Sequence, residues 1–267
     1  MIETTLELPH RAAKPRHHGL TMVIDRGLPL GALQGLLDSA GALVDVVKFG
    51  WGTALVSCQI EAKVALLRAH DVDFYLGGTL FEKYVLQERF DEFRALVHGL
   101  GARHVEVSNG TIPLSNSEKA GYIRKLADEF TVFSEVGSKD PSRSEMMSPS
   151  AWIESIEEDL DSGATIAILE ARESGRSGIC RPNGELRFGL VEEVAAAPID
   201  RHRLLFEAPN TALQAHLVRR MGPDVNLGNI TPDDVIPLET LRLGLRSDTL
   251  ETYEERASGP YQRRCRA

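Results

Sequence analysis

Cysteine is scarce in this chain. Cys58, Cys180 and Cys265 lie far apart and form no CxxC pair, which argues against a paired-thiol redox motif or a cysteine-based zinc site. An odd, sparse count fits a reducing compartment. Basic charge is short as well: 30 Lys and Arg face 39 Asp and Glu, for a formal net charge of -9. Non-specific nucleic-acid or acidic-membrane binding needs basic patches, so both are disfavoured. The most basic stretch, Arg263-Arg264-Cys265-Arg266, is too short for a nucleic-acid tail and reads as a solvated terminus. No window approaches the roughly 18 consecutive apolar residues of a membrane span, and no signal-peptide run opens the chain. Cytoplasmic residence is the default expectation. HExxH, GxSxG and GxxxxGK[ST] are all missing, and the eight histidines are scattered. The usual signatures of zinc hydrolases, serine hydrolases and P-loop proteins are therefore absent.

What is present is a rhythm. Short apolar, β-branched runs near 20–25, 43–48, 73–77, 103–108, 131–136, 165–170, 203–208 and 224–228 alternate with stretches of helical period, for example 56–70, 116–129, 149–162 and 210–221. Strands separated by helix-length connections pair in parallel through right-handed crossovers. Ser115 or Asn116 can cap the helix that follows, and Gly41, Gly101 and Gly163 stand where a left-handed helix terminus is wanted. No low-complexity linker divides the 267 residues. The first turn, DRGLPLG, lacks the Gly-rich phosphate fingerprint of an open doubly wound sheet. The expectation is an α/β chain forming a single (β/α)8 TIM barrel over 14–249, with 1–13 and 250–267 as terminal extensions.

Nearly every predicted strand ends in a polar or charged residue: Asp25, Lys48, Glu106, Glu135, Glu170 and Glu207, with Asn226 on the eighth. Charges inside a barrel persist only when paired, solvated or ligating, and barrel enzymes draw their catalytic residues from these strand ends. The loops that follow, KFGWGT, GGTLFE, VSNGT, EVGSKD, EARESGRSGI, FEAPN and NLGNI, are rich in glycine, which permits close backbone approach to a ligand. The residues thus point to an active site at one face of a barrel.

In collinear order, GLTMVIDRGLP, DVVKFGWGT, GGTLFE, VEVSNG, SEVGSK, LEARESG, FEAPN, VNLGNI and LETLRLGLRSDT resemble the phosphosulfolactate synthase family. The resemblance implies a magnesium-dependent (β/α)8 lyase that adds sulfite to phosphoenolpyruvate, in coenzyme M or other sulfonate biosynthesis. A homo-oligomer is expected by the same analogy. On that footing Glu106, Glu135 and Glu170 are candidate metal ligands, with Glu207 and Asp25 as outer members. Asp25 and Asn226 also belong to the expected substrate-binding set. Lys139 is the candidate general acid, with Lys48 orienting substrate or serving as second choice. Arg172 and Arg176 suit phosphate or sulfite, and the amides of Gly228 and Asn229, taken as a helix start, suit phosphate.

Two positions depart from the family pattern. Asn109 stands where a carboxylate is common, and Ser138 stands where a lysine is common. They leave open a different nucleophile on phosphoenolpyruvate or a similar enol phosphate. A heat-stress-associated family member without turnover is the alternative from another class. A Schiff-base aldolase through Lys48 or Lys139 fits the many carboxylates less well.

Overall fold

All eight apolar runs fold as strands: β1 Thr21–Asp25, β2 Val46–Phe49, β3 Asp73–Leu76, β4 His104–Val107, β5 Thr131–Val136, β6 Ile166–Leu169, β7 Leu204–Glu207 and β8 Asn226–Ile230. The structure, a computed structural model, describes residues 5–138, 141–172 and 174–253. Every registered strand pair is parallel. The order β3-β2-β1-β8-β7-β6-β5-β4 brings β1 beside β8, as barrel closure requires. The two ends of that order, β3 and β4, also touch. Among the described residues no ladder joins them, so the (β/α)8 barrel is nearly closed.

Side chains alternate across a strand with a period of two, and this period builds the site. Met22, Val46, Tyr75, Phe133, Ile166, Ile168 and Leu205 fill the barrel interior. Val23, Val47, Phe74, Val132, Ala167, Phe206 and Leu227 belong to a second, larger core with the helices. Two residues beyond the inner apolar layer, the inward positions turn ionic. Lys48 follows Val46, Glu135 follows Phe133, Glu170 follows Ile168, and Glu207 follows Leu205. Glu106 follows His104, whose ring packs edge-on against Phe133.

The helices follow their sequence signals closely. Ser115 caps Asn116–Ala127 through a capping box with Glu118, and Ser148 caps Pro149–Asp161. The expected 56–70 helix starts later, as Ile60–Ala69, and a separate short helix, Thr53–Val56, precedes it. Gly101 and Gly163 take positive φ as expected. Gly41 does not: it stays right-handed at φ -57, because the chain continues into the 3-10 turn Gly41–Leu43. Ahead of residue 14, Arg11 is anchored to the barrel by ion pairs of 2.7 Å to Asp224 and 3.0 Å to Glu239. No helix among the described residues is long and apolar enough to cross a membrane.

Candidate active site

Lys48 stands at the centre of the ionic layer. Its Nζ lies 2.9 Å from Glu106 Oε2, 3.3 Å from Glu207 Oε1 and 3.5 Å from Glu135 Oε2, and all four side chains are buried. Burial alone would depress the lysine pKa. The charges of Glu106, Glu207 and Glu135 outweigh it and push the value well above the ordinary one. Burial pushes the Glu106 carboxyl up, against the pull of Lys48. Beneath them, burial and the nearby Glu106 charge raise the Tyr75 phenol well above its usual value, so this floor stays neutral.

Two of the carboxylates are braced from both sides. Glu106 accepts the Gly78 amide at 2.6 Å on Oε1 while Oε2 faces Lys48. Glu207 accepts the Ala171 amide at 3.0 Å on Oε2 while Oε1 accepts from Lys48. Gly78 is needed for this fit: a Cβ there would sit 2.6 Å from Ser108 Oγ and 2.7 Å from Glu106 Oε1. Above the layer opens a cavity of about 250 Å³ lined by Lys48, Glu106, Glu135, Glu170, Arg172 and Glu207, together with Gly50, Trp51, Thr79, Thr111 and Asn229 among others. Trp51, Arg172 and Asn229 hold φ of 50, 48 and 53. Left-handed backbone is costly for Trp and Arg, less so for Asn, and tends to gather at ligand sites. Here three such residues ring one cavity.

The four expected glutamates, Lys48, Arg172 and Asn229 are therefore brought together, and other expected residues are not. Asp25 falls on the outward parity of β1. It pairs with Lys63 at 2.6 Å and accepts the amides of Gly27 and Leu28, so it fixes a turn instead of facing substrate. Asn226 lies at the start of β8, away from the mouth, and ties the strands together. Its amide donates to the carbonyls of His202 and Leu204 and its Oδ1 accepts the Leu20 amide. Gly228 and Asn229 lie within β8, and the next helical turn begins only at Pro232, so they do not form a helix start. Gly228 is packed against Leu205 and Met22, which its Cβ would overlap. The Asn229 amide points at Met22 Sδ, 3.4 Å away. Arg176 is exposed and does not line the cavity. Lys139 lies outside the described residues. Sequence reasoning missed Thr111 and Glu82, whose buried Oε1 accepts from Ser108 Oγ and the Thr111 amide. The last residue of the GGTLFE run was the available signal.

A sequence model of the (2R)-phospho-3-sulfolactate synthase (ComA) family matches residues 9–248. The chain belongs to this family. It is 49% identical over 249 residues to the phosphosulfolactate synthase of Bacillus subtilis, covering 93% of this chain and 99% of that protein. It is 40% identical over 247 residues to the phosphosulfolactate synthase of Methanothermobacter thermautotrophicus, covering 91% and 95%. Among solved structures, 3-hexulose-6-phosphate synthase from Salmonella typhimurium superposes with a TM-score of 0.53 at 13% identity, over 85% of this chain and 100% of that one. That likeness shows the barrel fold alone. Membership of this synthase family makes the chain an enzyme with small-molecule substrates.

The donor chemistry of the mouth bears on a metal. Among the described residues that line it, four glutamates face one lysine and one arginine, a formal charge of -2. An anionic substrate would be repelled by that excess unless a divalent cation joined it. The donors are all oxygen, as magnesium prefers. No three Asp, Glu, His or Cys side chains among the described residues converge as a preformed metal cage. The fit is therefore to a cation held by one or two carboxylates, substrate oxygens and water, which is the usual magnesium arrangement.

Proposed function

We propose that this enzyme is a magnesium-dependent phosphosulfolactate synthase, a carbon-sulfur lyase that joins sulfite to C3 of phosphoenolpyruvate. The observation that carries the reading is the ion-paired layer at the barrel mouth: a buried lysine fixed by three glutamates, beneath a cavity that Arg172 and Asn229 also line. The family assignment and the two named relatives support it.

In the proposed reaction the sulfur lone pair of sulfite forms a bond to C3, and the C2–C3 π electrons move into the substrate carboxylate. C2 then takes a proton, and no group leaves, giving 2-phospho-3-sulfolactate. A fixed positive charge beside the substrate carboxylate favours that charge shift. Lys48 supplies one, because its raised pKa keeps it protonated. Glu106 and Glu207 have both oxygens engaged and act as struts that hold the ammonium in place. Arg172 on the cavity wall offers a planar donor to phosphate or sulfite oxygens. The proton for C2 is assigned to Lys139 on sequence grounds, since Lys48 holds its own proton tightly. Magnesium, bound through Glu135 and Glu170 at adjacent strand ends, would stabilise negative charge on the substrate carboxylate.

Asn109 and Ser138 do not favour the rival nucleophile. Neither lines the mouth cavity. Both line a neighbouring one of about 210 Å³ with Asn116, Lys119 and Ser155, and Asn109 donates to Leu114 O and Asn116 Oδ1 within its own loop. The test is to incubate purified chain with phosphoenolpyruvate, sulfite and magnesium and identify the product by mass spectrometry. Phosphosulfolactate is expected, lost with a chelator and restored by magnesium. An adduct only with another nucleophile, or none with any divalent metal, refutes the assignment.

A further inference from the structure

Behind β5, on its helix-facing side, lies a buried ion pair that the reaction above does not use. Lys119 on Asn116–Ala127 and Asp159 on Pro149–Asp161 are 1% and 0% exposed. Lys119 Nζ donates to Asp159 Oδ2 at 2.6 Å, and Ser134 Oγ donates to the same oxygen at 2.7 Å. Lys119 Nζ also donates to the backbone carbonyl of Glu135 at 3.1 Å. The β4–β5 register ends at Val107↔Ser134. The Glu135 carbonyl lies beyond that last pair, and the lysine provides it with a donor. Glu135 is thus tied at its backbone to the outer pair, while its carboxylate reaches Lys48 on the other face of the strand.

We propose that Lys119 and Asp159 are positioning residues: the pair fixes the end of β5 so that Glu135 presents its carboxylate to Lys48 and the cavity. Stability alone gives little reason for such a pair, because a well-packed apolar pair of similar volume is often as stable. Asp159 Oδ1, moreover, is buried with no hydrogen-bond partner among the described residues. Geometry gives a better reason. Lys119 also lines the neighbouring cavity with Gly137 and Ser138, so it sits beside the segment that leads from Glu135 into the β5 loop and holds its first carbonyl. A small shift of that segment would carry the carboxylate away from Lys48, and misplacements of about 1 Å at a reacting centre can cost about a hundredfold in rate.

The turnover part of this inference rests on the proposed reaction. The test compares the full chain with the Lys119→Met/Asp159→Leu double variant, which removes the charges as a pair. Lys119→Gln/Asp159→Asn, which also removes both charges but keeps hydrogen-bonding groups of similar size, is the second variant, used if the first double variant fails to fold. The measurements are thermal melting, hydrogen exchange in peptides covering 134–138, and kcat and KM for phosphoenolpyruvate. The expected result is a folded variant with faster exchange at 134–138, kcat down about tenfold or more, and KM within about threefold. Lys119→Gln/Asp159→Asn should show the same pattern more weakly. A folded variant with kcat unchanged, or with exchange at 134–138 unchanged, overturns the proposal. If the wild-type chain fails to turn over these substrates, the reaction itself is refuted, and the exchange comparison still decides whether the pair holds the strand end.

Discussion

Replacing Lys48 by methionine would leave Glu106, Glu135 and Glu207 facing one another without the ammonium that lies 2.9 to 3.5 Å from each. Deleting one partner of a buried ion pair costs about 3–5 kcal/mol. At about 2–4 °C per kcal/mol for a chain of this size, Tm should fall by about 6–20 °C at about pH 8. The loss should depend on pH with a definite sign. Without Lys48, the Glu106 carboxyl, already raised by burial, rises further above its unfolded value. A carboxyl raised in the folded state adds no penalty below its unfolded pKa, and the penalty grows as pH climbs through the folded value. The deficit relative to wild type should therefore be clearly smaller near about pH 5 than near about pH 8. Lys48 in the wild-type chain is protonated throughout that window and does not confuse the comparison. Scanning calorimetry at both pH values, with Lys48→Met/Glu106→Gln as a third chain, makes the measurement. The added Glu106→Gln should recover part of the loss at the higher pH. A deficit equal at both pH values, or a double variant no more stable than the single one, would refute the electrostatic account of this layer.

Three further outcomes follow from the geometry. Gly78→Ala should push Glu106 off its amide contact, lowering kcat by about a hundredfold with a smaller effect on stability, as kinetics alongside urea denaturation would show. Arg172→Ala should raise KM for phosphoenolpyruvate about tenfold or more through loss of a charge-assisted contact, while Arg176→Ala, exposed and off the cavity, should leave it within about threefold. Arg242→Met should cost about 3 kcal/mol or more by urea denaturation without altering turnover per folded molecule. Its buried guanidinium donates to the carbonyls of Leu20, Pro223 and Val225, joining the leads into β1 and β8 away from the mouth.

The strands were legible because runs such as TMVID and TVFSEV are short, β-branched and separated by helix-length segments, and tertiary packing had no reason to overrule them. What the runs could not show was parity. In a barrel both faces of a strand are buried, so polarity does not alternate visibly along it. Asp25 and Lys48 each close a run and look equivalent in sequence. Register turns Lys48 into the cavity and Asp25 out towards Lys63. The polar end of Asn226 misled in another way, because it opens its strand and so sits at the opposite end of the barrel from the glutamates. The buried lysines did leave a signal. Lys63 shares the helical face of Ile60, Val64 and Leu67, and Lys119 that of Ile123 and Leu126. A lysine within an apolar stripe at spacings of three and four marks a helix whose charge is turned inward. An inward lysine needs a carboxylate from the elements it packs against. Read that way, Lys63 calls for a partner on the strands it covers, and Asp25 becomes a helix-facing anchor before any register is known. The same rule separates the buried lysines of this barrel: Lys63 and Lys119, on helices, brace strand ends from behind, and Lys48, on a strand, faces the cavity those ends surround.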